Sequence, residues 1–168
     1  MVRITDKNEK FSPLIVKGVS VTIAFDYESF YDINESGDNV KTDVGTWSVH
    51  TFTRKPSFEQ IQNFILSEIN KRIDEKIISG FEWKGMPVWL SSENQFNYKA
   101  AYDLAVQTNG VSLPVTFKFG DAFTPVYYKF DNVEDLTDFF TSAMSYINTC
   151  LMDGWYRKDS IDWEQYKI

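Results

Sequence analysis

A chain of 168 residues is most simply one domain and is long enough to bury a sizeable core. A formal charge of −7 argues against nucleic acid as the partner, because phosphate contacts need clustered Lys and Arg and the 17 basic residues here are scattered. The single cysteine excludes an intrachain disulfide. The polar N-terminus and the lack of a long apolar run argue against a signal peptide and a membrane span, so we expect folding in a cytoplasm.

Residues 1–55 are predicted to form an N-terminal β module. Residues 1–13 show no clear period and predict a loose arm that ends at Pro13. Apolar and polar residues then alternate between Val19 and Tyr27, which is typical of a half-buried strand. A turn cluster at residues 34–39 precedes a second alternation at residues 47–52. Residues 40–44 are a candidate extension of this second strand. The pattern predicts an antiparallel hairpin or meander.

The clearest helix follows Pro56. Ser57 and Gln60 have the spacing of a capping box. Apolar residues then recur every three or four positions as far as Ser79, namely Phe58, Ile61, Ile65, Ile69, Ile73 and Ile77. This spacing predicts an amphipathic helix of roughly 22 residues, about 33 Å long.

A short β-hairpin is predicted after this helix. Phe81 and Trp83 are separated by one residue and precede Lys84-Gly85, and residues 88–90 continue the apolar pattern beyond the turn. We expect the two aromatic side chains to anchor the hairpin in the core, packed against the helix face formed by Ile65, Ile69 and Ile73. Gly80 is expected in the left-handed conformation that often follows a helix C-terminus.

The rest of the chain alternates helices with a strand pair. Ser92 and Gln95 predict the capping box of a second helix, which Asn109-Gly110 ends. Strands are predicted at residues 113–119 and 126–130, and a third helix from Val133 to Gly154. The tail, residues 155–168, is apolar enough that we expect it to dock.

These elements predict an α+β fold: an N-terminal antiparallel β hairpin or meander, followed by three helices interleaved with two β-hairpins. The predicted domains are residues 1–55 and residues 56–168, which alternatively form one compact unit.

Few residues point to chemistry. Because His50 is the only histidine, sites that need two histidines are excluded. His50 is predicted to lie on the solvent face of a strand. Cys150 is predicted to be a small buried hydrophobe, and no motif supports a Cys150–His50 nucleophilic pair. Asp26 and Glu28 would share one strand face, as a glycosidase pair could, but an exposed strand has the same pattern.

The segment from Asp32 to Gly37 matches the first half of a calcium loop. Its twelfth position is Asp43 rather than Glu, however, and its flanks are predicted strands rather than helices. We therefore predict no catalytic residue, no cofactor and no metal.

The span of residues 69–155, about half of the chain, resembles a bacteriophage domain of unknown function that recurs in tail-fibre and tail-assembly proteins. The residues that carry the resemblance are, in order, Ile77-Ile78-Ser79-Gly80-Phe81, the hairpin about Lys84-Gly85, Asn97-Tyr98-Lys99-Ala100-Ala101-Tyr102, the strand pair from Phe117 to Tyr128, and the helix from Phe139 to Cys150. The resemblance implies a phage gene product in or around the tail, and it supplies no catalytic residues. Residues before Ser57 have no counterpart in that domain and are predicted to form an added β module.

The predicted function is that of a non-enzymatic phage structural or tail-assembly protein that acts through protein–protein contacts. The expected partners are other phage structural proteins or a second copy, without nucleic acid or membrane, in the host cytoplasm during assembly or in the virion. The candidate interaction surface consists of Trp47, Trp89, Trp155, Trp163 and Tyr166.

Two alternatives remain. An aromatic content of 17% also suits a receptor- or glycan-binding module, in which the first aromatic residues to consider are Trp47, Trp83, Trp89 and Tyr98. The other alternative is a small hydrolase that uses two carboxylates.

Overall fold

The computed structural model describes residues 2–6 and 12–168 and has the α+β architecture that the sequence predicts. In chain order the elements are β1 (Val2–Asp6), β2 (Leu14–Lys17), β3 (Ser20–Ile33), β4 (Asn39–Phe52), α1 (Phe58–Ser79), β5 (Phe81–Trp83), β6 (Met86–Val88), α2 (Ser92–Gln107), β7 (Val115–Gly120), β8 (Pro125–Phe130), α3 (Val133–Asp159) and a 3₁₀ turn, Trp163–Tyr166.

The contacts divide the chain into two compact units. The N-terminal unit comprises Met1–Ile69 and Arg157–Ile168, and the central unit comprises Asn70–Tyr156. Along the sequence, the division falls once inside α1 and once inside α3. The N-terminal unit therefore includes more than the predicted β module, because part of α1 and the C-terminal tail belong to it. Whether residues 1–55 and 56–168 are separate domains stays a prediction.

The N-terminal unit contains an antiparallel sheet with the strand order β1-β4-β3-β2. The prediction of a loose arm over residues 1–13 is wrong for residues 2–6, because β1 pairs with β4 from Val2 opposite Ser48 to Asp6 opposite Val44. The alternation in β1 is too short to predict a strand by itself, and its backbone groups find partners only when β4 lies alongside. Met1 and residues 7–11 lie outside the described residues.

The core of the N-terminal unit forms between β3, α1 and the tail. Its fully buried side chains include Val21, Ile23, Ile61 and Ile65. The predicted docking of the tail is confirmed, because the Tyr166 hydroxyl donates a hydrogen bond of 2.8 Å to the Ala24 carbonyl oxygen. The predicted capping box of α1 is also confirmed: the Gln60 N–H donates to Ser57 Oγ, and the Ser57 N–H donates to Gln60 Oε1 at 2.8 Å.

The central unit is organised around the β5–β6 hairpin. Lys84 and Gly85 both have positive φ, 49° and 73°, as the two central residues of a type I′ turn require. The predicted burial of Phe81 and Trp83 is confirmed, whereas their packing against the face formed by Ile65, Ile69 and Ile73 stays a prediction. The Trp83 ring contacts an aromatic cluster from β7, β8 and α3 that the sequence did not predict, consisting of Phe119, Tyr128, Phe130 and Phe139.

Two glycines in the central unit, both predicted to mark helix ends, are instead required by close packing. Gly80 does not have positive φ; instead, a β-carbon there would collide with the Tyr146 hydroxyl. Gly154 does not end α3, which continues to Asp159, and a β-carbon there would lie 2.9 Å from Ile73 Cγ1. The cap of α2 is also one residue earlier than predicted, because Ser91 Oγ rather than Ser92 accepts from the Asn94 N–H.

Candidate interaction surfaces

The five predicted surface residues have different environments. Trp89 and Trp155 are 55% and 54% exposed. Trp47 is half-buried with its ring centroid 5.1 Å from that of Tyr27, and Trp163 is half-buried beside Phe58 at 6.4 Å. Tyr166 is buried, so it belongs to the core of the N-terminal unit and must be removed from the candidate surface. Of the residues considered for sugar stacking, Trp83 and Tyr98 are likewise buried.

A more pronounced exposed feature lies in the N-terminal unit, where the C-terminal part of β3 pairs with the N-terminal part of β4. We call residues 29–43 the β3–β4 arm. The last β1 pair is Asp6 with Val44, and β2 pairs no further along β3 than Ile23. Within the described residues, the arm therefore consists of two strands that pair only with each other, as in Asp32 opposite Val40.

Large apolar side chains of the arm are exposed on both of its faces. Tyr31 and Ile33 lie on one face and are 59% and 69% exposed. Val40 pairs with Asp32, so it lies on the opposite face, where it is 47% exposed. Phe30 and Val44 are further exposed apolar residues in or next to the arm. In the sequence, these exposed side chains are visible only as apolar residues on both sides of a polar turn. Their periodicity does not show that both faces of the arm are exposed.

The tip of the arm is a hairpin turn rather than a calcium loop. Asn34 Oδ1 accepts hydrogen bonds from the Ser36 and Asp38 N–H groups, at 3.0 and 2.8 Å, and Gly37 has a φ of 85°. The oxygen that would be a metal ligand is thus used to hold the turn. No group of three or more His, Cys, Asp or Glu side chains with metal-binding geometry occurs among the described residues.

The acidic pair of β3 contacts a cation. The register of β3 against β4 shifts between Phe25 and Glu28, and Asp26 has a positive φ of 53°, which marks a β-bulge. Arg157 donates to Asp26 Oδ1 at 3.0 Å and to Glu28 Oε1 at 3.4 Å. The Asp26 side chain is nearly inaccessible, whereas the Glu28 side chain is 59% exposed, so only Asp26 departs from the predicted exposed strand face.

The two residues considered for nucleophilic chemistry are both packed. His50 does not lie on the solvent face as predicted: its ring stacks on Phe64 at 3.9 Å, and burial lowers its pKa below the usual 6.5. Cys150 is buried, as predicted.

A cleft of about 600 Å³ lies beside Trp89 in the central unit. Its lining includes Ser79, Trp89, Asn94, Lys118 and Asp121. Asp121 Oδ1 accepts from the Phe123 and Thr124 N–H groups, both at 2.7 Å, and these bonds lower the pKa of the carboxyl group. The sequence identified only Trp89, because the other lining residues come from separate elements.

The chain matches no family model, no curated protein and no solved structure. The resemblance of residues 69–155 to a phage tail-associated domain therefore rests on the residues that carry it and stays a prediction. Among the helices of the described residues, none combines the length and apolar character that crossing a bilayer requires.

Proposed function

We propose that this protein is a non-enzymatic assembly component that binds another protein through the β3–β4 arm. From the resemblance of residues 69–155, we further propose that it works in or around a bacteriophage tail. The observation that carries the first proposal is the exposure of Tyr31, Ile33 and Val40 on both faces of a two-stranded arm. A two-stranded hairpin is marginally stable in water by itself, and a concentration of exposed apolar side chains in one segment favours an interaction site.

A partner that covers the arm would remove apolar surface from water. Burying the exposed half of each large side chain contributes roughly 1 kcal/mol or more. Tyr31 is the strongest anchor candidate, because a tyrosine ring combines a large apolar area with a polar tip and is enriched at interface centres. The paired backbone also offers strand edges to which a partner strand can add.

The charge of the arm indicates the chemistry of the partner. Residues 29–43 contain four acidic residues and one lysine. Arm-to-arm pairing of two copies would bring like charges together, which opposes association. The partner is therefore a different protein with an apolar surface that basic residues surround, and the complex weakens as salt rises.

The environment of the acidic pair does not favour the hydrolase alternative. Both carboxylates accept hydrogen bonds from the Arg157 guanidinium, and the Asp26 side chain is nearly inaccessible, so a substrate could not reach both carboxylates.

The test compares the native chain with the double variant Tyr31→Thr/Ile33→Thr. Threonine keeps a high strand propensity, so the arm should still form while losing apolar area. Val19→Thr is the matched control, because Val19 is another exposed apolar residue of the N-terminal unit that lies outside the arm. Each tagged protein is expressed in cells that produce phage. Proteins in purified particles and in affinity eluates are then identified by mass spectrometry.

We expect one basic tail protein to co-purify with the native chain and with Val19→Thr. With the purified partner, the double variant should bind at least about tenfold more weakly, or ~1.4 kcal/mol. Binding of the native chain should weaken between about 50 and about 300 mM salt. A partner held equally by the double variant would refute the arm as the contact, and absence from particles and from every tail complex would refute the phage assembly role. Self-association through the arm would refute the choice of a different protein as partner.

A further inference from the structure

The cleft beside Trp89 has the dimensions and lining of a ligand site. Its volume of about 600 Å³ lies within the range of small-molecule pockets. Four elements contribute to it: Trp89 follows β6, Asn94 is in the first turn of α2, Lys118 is in β7, and Asp121 is in the β7–β8 turn. We infer that this cleft binds a saccharide, with one sugar ring stacked on the Trp89 indole.

The backbone that carries the Trp89 indole is held in place by hydrogen bonds. The Asn94 amide donates to the Trp89 carbonyl oxygen at 2.8 Å, and the adjacent Leu90 N–H donates to the Ile78 carbonyl oxygen at 2.9 Å. Both hydrogen bonds hold the backbone on which the ring stands. A ring that is 55% exposed on such a backbone costs little further ordering when a flat apolar surface stacks on it. The C–H face of a pyranose ring is such a surface.

The polar groups around the indole suit hydroxyl groups. Lys118 is exposed and can donate, whereas the Asp121 carboxylate can accept and is held in place by the Phe123 and Thr124 N–H groups. A sugar hydroxyl donates and accepts, so it can use both groups. A phosphate ligand would be repelled by Asp121, and a wholly apolar ligand would use neither charge. The mixture of one exposed indole with a cation, a carboxylate and an amide therefore favours a saccharide.

The test measures binding of the full chain to immobilised oligosaccharides composed of neutral hexoses, N-acetylhexosamines or uronic acids. Trp89→Ala removes the indole, and Trp155→Ala is the matched control because Trp155 is 54% exposed and does not line the cleft. Since both rings are half-exposed, neither change should unfold the protein, which a melting curve checks. We expect at least one oligosaccharide to bind the native chain and Trp155→Ala equally, and Trp89→Ala at least about tenfold more weakly. Lys118→Ala should weaken the same interaction.

This inference is independent of the arm, and the two proposals fail separately. The Tyr31→Thr/Ile33→Thr variant should keep its full saccharide affinity while losing its protein partner. Failure of every oligosaccharide to bind at millimolar concentration would overturn the inference. So would equal binding by the native chain and Trp89→Ala, or equal losses in Trp89→Ala and Trp155→Ala. As a second readout, the bound saccharide should protect one tryptophan from acrylamide quenching in the native chain and none in Trp89→Ala.

Discussion

Replacing Trp83 by alanine should destabilise the central unit severely, although the residue lies only six positions before the exposed Trp89. The Trp83 ring is buried and has its centroid within 6.1 Å of the ring centroids of Phe119, Tyr128, Phe130 and Phe139. Its Nε1–H also donates to Asp138 Oδ2 at 3.1 Å. Truncation would therefore leave a cavity at the centre of an aromatic cluster and remove a hydrogen bond.

The expected magnitude follows from these contacts. Trp→Ala changes in a core cost about 3–5 kcal/mol. For a chain of this size, each kcal/mol lowers Tm by roughly 2–4 °C, so Trp83→Ala should lower it by about 6–20 °C. Trp83→Phe keeps most of the packing but loses the hydrogen bond to the exposed Asp138. It should cost only about 1–2 kcal/mol, since a hydrogen bond contributes about 1 kcal/mol net.

Chemical denaturation and calorimetry measure these differences, with Trp155→Ala as the control. That half-exposed ring should cost within about 0.5 kcal/mol on truncation. If Trp83→Ala were as stable as Trp155→Ala, the ring could not be the core anchor, and the argument from the aromatic cluster would be refuted. Trp83 would then have to be reconsidered as a ligand-stacking residue.

Three further predictions concern other parts of the fold. Gly154→Ala should destabilise the central unit by about 1–2 kcal/mol, because its new methyl group would crowd Ile73. In an Ile73→Ala background, the same change should be neutral or stabilising by up to about 1 kcal/mol. Urea denaturation measures both differences. Burial lowers the pKa of His50, so the unfolded chain takes up the proton more readily. Stability should therefore fall as pH drops through the usual His value of 6.5, and His50→Gln should reduce that loss in melting curves. Melting curves in excess chelator and in millimolar calcium should superimpose, because Asn34 Oδ1 already accepts two backbone hydrogen bonds.

Each of these expectations can fail clearly. Equal costs of Gly154→Ala with and without Ile73 would mean that the two residues are not coupled. A pH dependence that is the same in His50→Gln as in the native chain would assign the loss of stability to other groups. An upward shift of Tm with calcium would mean that the segment from Asp32 to Asp43 binds the ion in the native state.

The sequence by itself determined the elements that are encoded locally. The bounds of α1 follow from the Ser57–Gln60 capping box and the apolar period, because both depend on residues within one or two turns. The β5–β6 turn follows from Lys84-Gly85, since a two-residue hairpin turn needs positive φ at both positions. The α+β class follows in turn, because the order of strands and helices needs only local patterns.

The tertiary structure alone decided which residues are buried and which come together. A glycine such as Gly154 is typical of a helix end in the sequence, but it lies within α3. Glycine is needed there because the close approach of Ile73 leaves no room for a side chain. Trp83 and Trp89 are both tryptophans in or next to the β5–β6 hairpin, yet Trp83 is buried and Trp89 is exposed at a cleft. Residues far away in the sequence decide this difference. The pairing of β1, the bulge at Asp26 and the exposure of the β3–β4 arm likewise depend on the position of other strands. Burial and strand pairing are interactions between residues far apart in the chain, and local periodicity contains no information about which distant surface will cover a given face.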